Sequence, residues 1–370
     1  MTTPTRPSTH RTGRVRAARL TDLAALGELS RQAHLAPQTD TQLRTLGLPV
    51  GTSHVSVFTL FRLPLSALLP ADLLYVYEEH GRIQGLAHVD HDNIRDEWTF
   101  VELDAMDEGL SGDIRFRLVQ RVLRDASKRG GMRFHVACSD DGGNVELFMQ
   151  AGFARYGEET ILYRPPDSAP DVAMSAADAL AYGIRPAVPL DALLLDRLYR
   201  SATPGPVARL EDYRQPDWER QGNHWRVPRS ALTPILRFAD VEAFVQQATS
   251  GKLDGELLAF CQIGTSKTEQ PHYIRVISRT DHDPSDLIAF CLGALAERTR
   301  SRWSDLAGRW QRAERGSVER GVLSAVRTYE SPLDRRLEEH GFADVAQVSL
   351  LMKEATERVT KPALVPAVLR

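Results

Sequence analysis

The sequence repeats itself, and the repeat restricts the architectures that the chain can adopt. FRLPLSALLP (61–70) matches WRVPRSALTP (225–234) at six of ten positions. Three further pairs of similar segments keep the same order in the two halves; they begin at Val15 and Ile184, at His80 and Asp254, and at Gly142 and Ser331. An ordered series of this kind predicts a tandem duplication in which each copy is one structural unit.

The length and the linker fit this duplication. A chain of 370 residues is long enough for two domains of ordinary size. A stretch rich in Pro, Ser and Ala separates the copies, which is typical of an interdomain connection. The segment 302–321 has no counterpart in the first copy and is interpreted as a partly helical insertion. The predicted organisation is a flexible tail (1–12), a first domain (13–165), a linker (166–182), a second domain (183–356) and a C-terminal tail (357–370).

The composition excludes several classes of partner. No basic run dominates and the net charge is −3, so a nucleic-acid partner is not expected. No apolar segment approaches the length of a membrane span, and the first residues lack the apolar stretch of a signal peptide. The three cysteines are scattered through apolar runs, which predicts reduced core thiols. We therefore expect a cytoplasmic protein without a membrane partner, either a monomer or a homodimer.

Each copy is predicted to be α+β. In the first copy, Asp22 begins a helix and a further helix is expected at 42–46, while the turn EEHG (78–81) joins two strands as a hairpin. Apolar residues recur at helical spacing from Ile114 to Ala126. The predicted strands are one near Val15 and those at 73–77, 83–89, 97–106, 132–138 and 159–165, with a short helix at 144–151.

This element order resembles the GNAT superfamily of acyl-CoA N-acyltransferases. The best-preserved parts are 113–130 and 141–153, which is paralleled by 330–342, and the resemblance covers nearly the whole chain as two copies. It implies two tandem GNAT-like domains, each with a mixed, mostly antiparallel central sheet flanked by helices. It also implies transfer of an acetyl group from acetyl-CoA to an amine.

In that family a Gly-x-Gly loop before the central helix usually holds the pyrophosphate of coenzyme A, because glycines let the backbone approach it and the helix presents free N–H groups. Here Asp113, Ile114 and Arg115 stand at the glycine positions. Two alternatives follow. In one, Asp113 caps the helix and closes the site; in the other, Arg115 and Arg117 reach around Asp113 and contact the phosphates. The residues predicted to bind acetyl-CoA are Met106, Gly109, Gly112, Ile114, Arg115 and Arg117.

The second copy lacks glycine at the corresponding helix start. It carries Asp281, Asp283 and Asp286 there, which would repel phosphate. We therefore expect no coenzyme A site in the second copy.

Glu102 and Asp104 are the candidate catalytic bases. They alternate with apolar residues in a strand, so both side chains lie on one face. Each is either a base that accepts the proton of the amine or a solvated carboxylate at the end of the strand. The family's proton-donating Tyr falls on Phe148 and Leu337, neither of which can donate.

Further departures and two other polar groupings bear on the site. The family's Asn falls on Asp141 and Glu330, while Tyr156 and Tyr163 lie nearby in the sequence. HVDHD (88–92) contains metal-ligand residue types but is interpreted as a solvated turn, and no metal site is predicted. His135 and Cys138 should face opposite sides of their strand, which argues against a nucleophile–base pair.

The leading hypothesis is an N-acyltransferase that holds acetyl-CoA in its first domain, with the second domain helping to form a pocket for a small-molecule or peptide amine. The pairs Phe61-Arg62 and Trp225-Arg226 either line that pocket or pack in the core. The alternative is a GNAT-fold scaffold that binds a ligand or partner without catalysis, since fold does not decide function.

Overall fold

The last strand of each half of the chain pairs with the other half. In this computed structural model, which describes residues 13–35, 43–48, 72–92, 94–106, 111–166, 168, 174, 176–219, 228–236, 238–266, 270–307, 320–330 and 332–355, thirteen strands form one sheet. The strands are β1 (Arg14–Ala17), β2 (Leu43–Arg44), β3 (Asp72–Glu79), β4 (Arg82–Asp92), β5 (Glu97–Met106), β6 (Arg133–Cys138), β7 (Ala154–Arg164), β8 (Ile184–Pro186), β9 (Phe238–Gln247), β10 (Leu257–Ser266), β11 (His272–Ser278), β12 (Val322–Arg327) and β13 (Ala343–Glu354).

The strand order is symmetric about the centre of the sheet. It runs β1-β3-β4-β5-β6-β13-β7-β12-β11-β10-β9-β8, and β2 pairs with the end of β5. β13, from the second half, lies between β6 and β7 of the first, and β7 in turn pairs with β12 of the second. Each half therefore completes the sheet of the other. The predicted boundary lies in the connection from β7 to β8.

Helices cover both faces of the sheet. They are α1 (Leu23–Leu35), α2 (Ser111–Ser127), α3 (Asn144–Gln150), α4 (Ala176–Ala181), α5 (Ala192–Ala202), α6 (Gly205–Glu211), α7 (Gln215–Glu219), α8 (Ser285–Ala307) and α9 (Pro332–Glu339). In the first half, α2 packs its apolar stripe on one face of β4 and β5, and Leu26 of α1 packs on the other face. In the second half, α8 and α5 take these two places. The α+β prediction and the repeat are confirmed.

Several local predictions are confirmed. β3 and β4 form a hairpin in which His80 and Gly81 both have positive φ, +50° and +76°, as a tight two-residue turn requires. The three cysteines are all buried. His135 and Cys138 lie on opposite faces of β6, because Cys138 packs with the α2 side and Ala137 with the other.

Two local predictions are wrong. Residues 42–46 were predicted to be helical, but Leu43–Arg44 forms β2 because it finds a strand partner in Ala105–Met106. HVDHD was predicted to be a turn, yet His88 and Asp90 lie buried within β4, which runs on to Asp92.

The described residues bear on the remaining predictions only in part. Among the described residues, no three His, Cys, Asp or Glu side chains are placed to hold a metal ion, and no helix is long and apolar enough to cross a membrane. Part of the predicted linker forms α4, and α8 extends into the predicted insertion as far as Ala307. The predicted tails, Gly109, Phe61-Arg62 and Trp225-Arg226 lie outside the described residues.

Candidate active site

The two parallel strand pairs of the sheet diverge, and each opens a split beside the beginning of a long helix. β5 and β6 pair from Glu97 to Phe100, after which β5 continues to Met106 on its own path. β11 and β12 pair only from His272 to Ile274. We call these the first split, at the beginning of α2, and the second split, at the beginning of α8.

The first split contains the protein's own chain. Residues 43–48, here called the plug, pair through β2 with Ala105 and Met106 on one side of the split. On the other side, the Ser139 N–H donates to the carbonyl oxygen of Leu46 at 2.9 Å. The amide Nδ2 of Asn144 donates to the carbonyl oxygen of Thr45 at 3.0 Å. The plug therefore spans the first split from β5 to the loop after β6.

Arg115, one of the predicted cofactor residues, points into the protein. Its guanidinium donates to Asn144 Oδ1 at 2.5 Å and to the carbonyl oxygen of Gly142 at 3.1 Å, and the side chain is 3% exposed. It thus joins α2 to the beginning of α3. Sequence reasoning missed Asn144, which follows two left-handed glycines and lies three residues beyond the expected Asn position.

The other predicted cofactor residues are spread around the first turns of α2. Ile114 is buried in the core, Met106 packs against the cluster around Leu26, and Arg117 is exposed. Gly112 lies in the first turn of α2, which begins at Ser111. No ligand-binding role follows from these positions alone, and the cofactor assignment to the first half stays a prediction.

The predicted bases lie on the face of β5 that is turned away from α2. Glu102 and Asp104 are opposite His88 and Leu86 of β4, and the two carboxyl groups are 5% and 2% exposed. They are therefore not solvated at the end of the strand. Burial, followed by the neighbouring Glu102, raises the pKa of Asp104 well above its usual range. The two buried carboxyl groups stay the predicted bases of the first half.

The second split holds an open cavity of about 290 Å³. Ser278 at the end of β11, the loop 279–284 and the beginning of α9 line it. Leu333 and Ala202 provide apolar surface, and Thr280 is an exposed wall residue. A cleft of this size at diverging strand ends can take an extended ligand arm.

The charges at the mouth of this cavity are paired. Arg279 Nε donates to Asp281 at 3.1 Å, and Arg336 lies 2.9 Å from Asp283. The hydrogen bond from Arg279 lowers the pKa of Asp281. Burial acts to raise the pKa of Asp283, but its hydrogen bonds with Ser285 at the helix start, together with the nearby charge of Arg336, make the net shift downward. The spacing of these carboxylates in the sequence predicts repulsion of phosphate, but Arg279 and Arg336 pair with Asp281 and Asp283 in the fold.

His282 adds no charge to this mouth at neutral pH. Burial lowers its pKa below the ordinary value. Its Nε2 lies 2.8 Å from Gln246 Oε1, while the Gln246 amide nitrogen faces the carbonyl oxygen of Tyr182 at 3.4 Å. This orientation of Gln246 makes Nε2 the donor of His282.

Tyr329 lines the same cavity and supplies a hydroxyl that the sequence analysis did not find. It lies two residues after the end of β12, whereas Phe148 and Leu337, at the expected Tyr positions, are buried in the cores. Burial raises the pKa of Tyr329 above its ordinary value, so the phenol keeps its proton at neutral pH. Only the fold could reveal this residue, because it lies eight positions before the expected one.

A buried charge network joins the two halves beside the second split. Arg327 lies 2.6 Å from Glu159 and 2.8 Å from Glu211, and Glu330 bonds the Arg275 side chain at 2.8 Å and the Arg327 N–H at 3.0 Å. All five side chains are less than a tenth exposed. The network also accounts for two tyrosines, since Tyr156 and Tyr199 donate to the carboxylate of Glu211. Tyr163 lies in β7, with Leu323 and Ala343 as strand partners.

Comparison with known proteins supports the repeat at the level of fold. No protein-family model matches the chain, and no curated protein matches it. Among solved structures, a tandem GNAT protein from the clavulanic acid biosynthesis pathway is similar, with a TM-score of 0.51, 13% identity and coverage of 93% of this chain and 99% of that one. A GCN5-related N-acetyltransferase from Sphaerobacter thermophilus is similar with a TM-score of 0.52, 15% identity and coverage of 92% and 95%. The chain thus has the tandem GNAT fold.

Proposed function

We propose that the protein is an N-acyltransferase that moves an acetyl group from acetyl-CoA to a small-molecule or peptide amine, and that the donor binds in the second split. The open cavity between the ends of β11 and β12 carries this proposal. It differs from the expectation that the first half holds the donor, because the plug lies in the first split.

The chemistry needs an amine, a thioester and a proton donor. The amine nitrogen attacks the thioester carbon, the carbon–sulfur bond breaks, and the amide forms as the amine loses a proton to solvent water. Tyr329 is the candidate donor to the departing thiolate, since it lines the cavity and stays protonated. Ionised tyrosine would then recover its proton from solvent.

The phosphates of the donor would lie at the beginning of α8. The partial positive charge of the first helical turn favours an anion there, and a phosphate would replace Asp283 as the acceptor of the Ser285 N–H. Arg279 and Arg336 are the cationic side chains at the mouth, and each can exchange its carboxylate partner for phosphate. Asp281 and Asp283 oppose this binding, so we expect modest affinity.

Calorimetric titration with acetyl-CoA tests the site. Thr280→Trp places a large ring in the cavity from an exposed position, and Thr21→Trp is the matched control at an exposed threonine outside it. We expect one equivalent to bind to the wild type and to the control, and no heat with Thr280→Trp. Equal binding by all three proteins would rule out the second split as the donor site.

A non-catalytic scaffold is the second candidate function. The filled first split favours it, because one of the two GNAT-like sites is then already lost. Turnover decides between the two: release of free thiol from acetyl-CoA in the presence of a panel of primary amines supports the enzyme. Acetyl-CoA binding without amine-dependent thiol release supports the scaffold.

A further inference from the structure

We infer that the plug is an intramolecular ligand of the first split, which closes that split to acyl-CoA and leaves the chain with one donor site. The inference rests on the proposed function only for the count of donor sites. The closure itself rests on contacts within the first half.

The plug satisfies polar groups on both walls of the split. Ala105 and Met106 on β5 pair with β2. Opposite them, the Ser139 N–H and the Asn144 amide donate to two successive carbonyl oxygens of the plug, those of Leu46 and Thr45. A ligand entering here would have to replace these hydrogen bonds, and buried polar groups left without partners are costly.

Packing holds the plug as well. Leu46 is 3% exposed and belongs to the same core cluster as Phe100 and Phe148. Leu48 packs against this cluster and against a second cluster that contains Ala137 and Ile161. Burial of these side chains adds to the hydrogen bonds, because apolar surface removed from water stabilises the closed arrangement.

Gly47 permits the close approach of the plug to the loop after β6. Its φ is +68°, which disfavours other residues, and an added Cβ would lie 2.9 Å from Ser139 Cβ and closer still to its hydroxyl. The N–H of Gly47 donates to Thr45 Oγ1 at 3.0 Å within the plug. A side chain at this position would push the plug away from Ser139.

Arg115 acts through Asn144 as a positioning residue. Its bond to Asn144 Oδ1 turns the amide nitrogen of Asn144 toward Thr45. The arginine that the family resemblance assigns to phosphate therefore orients a group that holds the plug.

The second half contains no such closure in its described residues. The chain between α5 and β9 forms α6 and α7 there, and Trp218 of α7 is buried against Tyr199 of α5. These two helices pack on the face of the sheet turned away from α8 instead of entering the second split, which keeps its cavity.

Hydrogen exchange at the Ser139 amide, read at residue resolution in the full chain, tests the closure without any ligand. We expect this amide to be protected in the wild type and to exchange roughly tenfold faster in Gly47→Ala, since strain and a lost hydrogen bond act together. Gly81→Ala is the matched control, because Gly81 has a φ of +76° with open space around it. Leu46→Ala should also speed exchange at Ser139, and it serves if Gly47→Ala does not fold.

Two results would overturn the inference. One is a Ser139 amide that exchanges freely in the wild type or equally slowly in both plug variants. The other is a change in amide hydrogen exchange at Ala105, Met106 or Ser139 when acetyl-CoA is added to the wild type. If Ser139 is protected and acetyl-CoA binds nowhere, the closure stands and the proposed function fails.

Discussion

The two halves of the chain share a fold but differ in what enters the split between their parallel strands. In the first half, the plug reaches from Met106 to Ser139 and Asn144. In the second half, the corresponding space is a cavity lined by Tyr329 and two ion-paired arginines. The loop sequences favoured the first half as the donor site, whereas the packing favours the second. A binding site is thus decided by what covers it as well as by the residues of its loop.

Cys138 and Arg327 occupy equivalent positions at the ends of β6 and β12, so substituting each residue in turn compares the two halves directly. Arg327→Leu leaves the buried carboxylates of Glu159 and Glu211 without their cation. We expect the free energy of unfolding to fall by about 3–5 kcal/mol. Cys138→Ala removes only a buried thiol and should cost about 1 kcal/mol. Urea unfolding measures both.

Neutralising the two glutamates in the Arg327→Leu variant separates the effect of lost charge pairing from the effect of altered packing. Adding Glu159→Gln and Glu211→Gln to Arg327→Leu should recover part of the lost stability, because the uncompensated charges are gone. Equal losses for Arg327→Leu and Cys138→Ala would show that the network contributes little.

Tyr329 and Asp140 form a second equivalent pair, with the tyrosine at the second split and an exposed aspartate in the first half. Tyr329→Phe should lower kcat by about a hundredfold with little change in KM, since it removes a proton donor. Asp140→Ala should change neither. The raised pKa means that kcat should stay level up to about pH 10 in the wild type. A rise of KM with kcat unchanged would instead indicate a binding role.

Arg16–Asp22 and Arg185–Asp191 are the feature that the halves share most closely. Each arginine makes two hydrogen bonds to its aspartate, at 2.6 and 2.9 Å in the first half and at 2.7 Å for both in the second. We expect double-mutant cycles to give a coupling of about 1 kcal/mol in each half. A large difference between the two coupling energies would show that the two ion pairs are not equivalent.

These two pairs should also respond alike to pH. The Arg16 hydrogen bond lowers the pKa of Asp22. Burial acts to raise the pKa of Asp191, but its hydrogen bonds from Arg185 and from the Val188 N–H, together with the charge of Arg185, give a net downward shift. Because the folded pKa lies below the unfolded one, the stabilisation is present above about pH 4 and is lost as pH falls through the lowered pKa. The free energy of unfolding of the single and double variants, measured from about pH 2 to about pH 7, reports this loss because the range spans the ordinary aspartate pKa.

Substituting the carboxylates at the beginnings of α8 and α2 should give the smallest effect, a small change in the affinity for acetyl-CoA. Asp281→Asn releases Arg279 from its partner and should tighten acetyl-CoA binding by about two- to threefold at low salt. Asp113→Asn, at the beginning of α2, should leave the dissociation constant unchanged if the plug closes the first split. Calorimetry measures both, and tighter binding by Asp113→Asn alone would return the donor site to the first half.

Local sequence patterns predicted most of the secondary-structure elements but few of the residues of the candidate active site. The hairpin at Gly81, the apolar stripe of α2 and the repeat depend on neighbouring residues, so they could be predicted. The helix predicted at 42–46 failed because a strand partner far along the chain, Met106, overrode local preference. Tyr329 was missed because only the tertiary structure shows which residue after β12 faces the cavity.

The sequence by itself determined a tandem α+β repeat, because periodicity and turn residues act over short distances and occur twice. Tertiary structure alone decided that β7 and β13 are exchanged between the halves, since strand pairing depends on partners remote in sequence. It also decided that the plug fills one split while the other stays open. The physical reason is that buried hydrogen bonds must be satisfied by whichever group the fold brings near, and in the first half that group is the protein's own backbone.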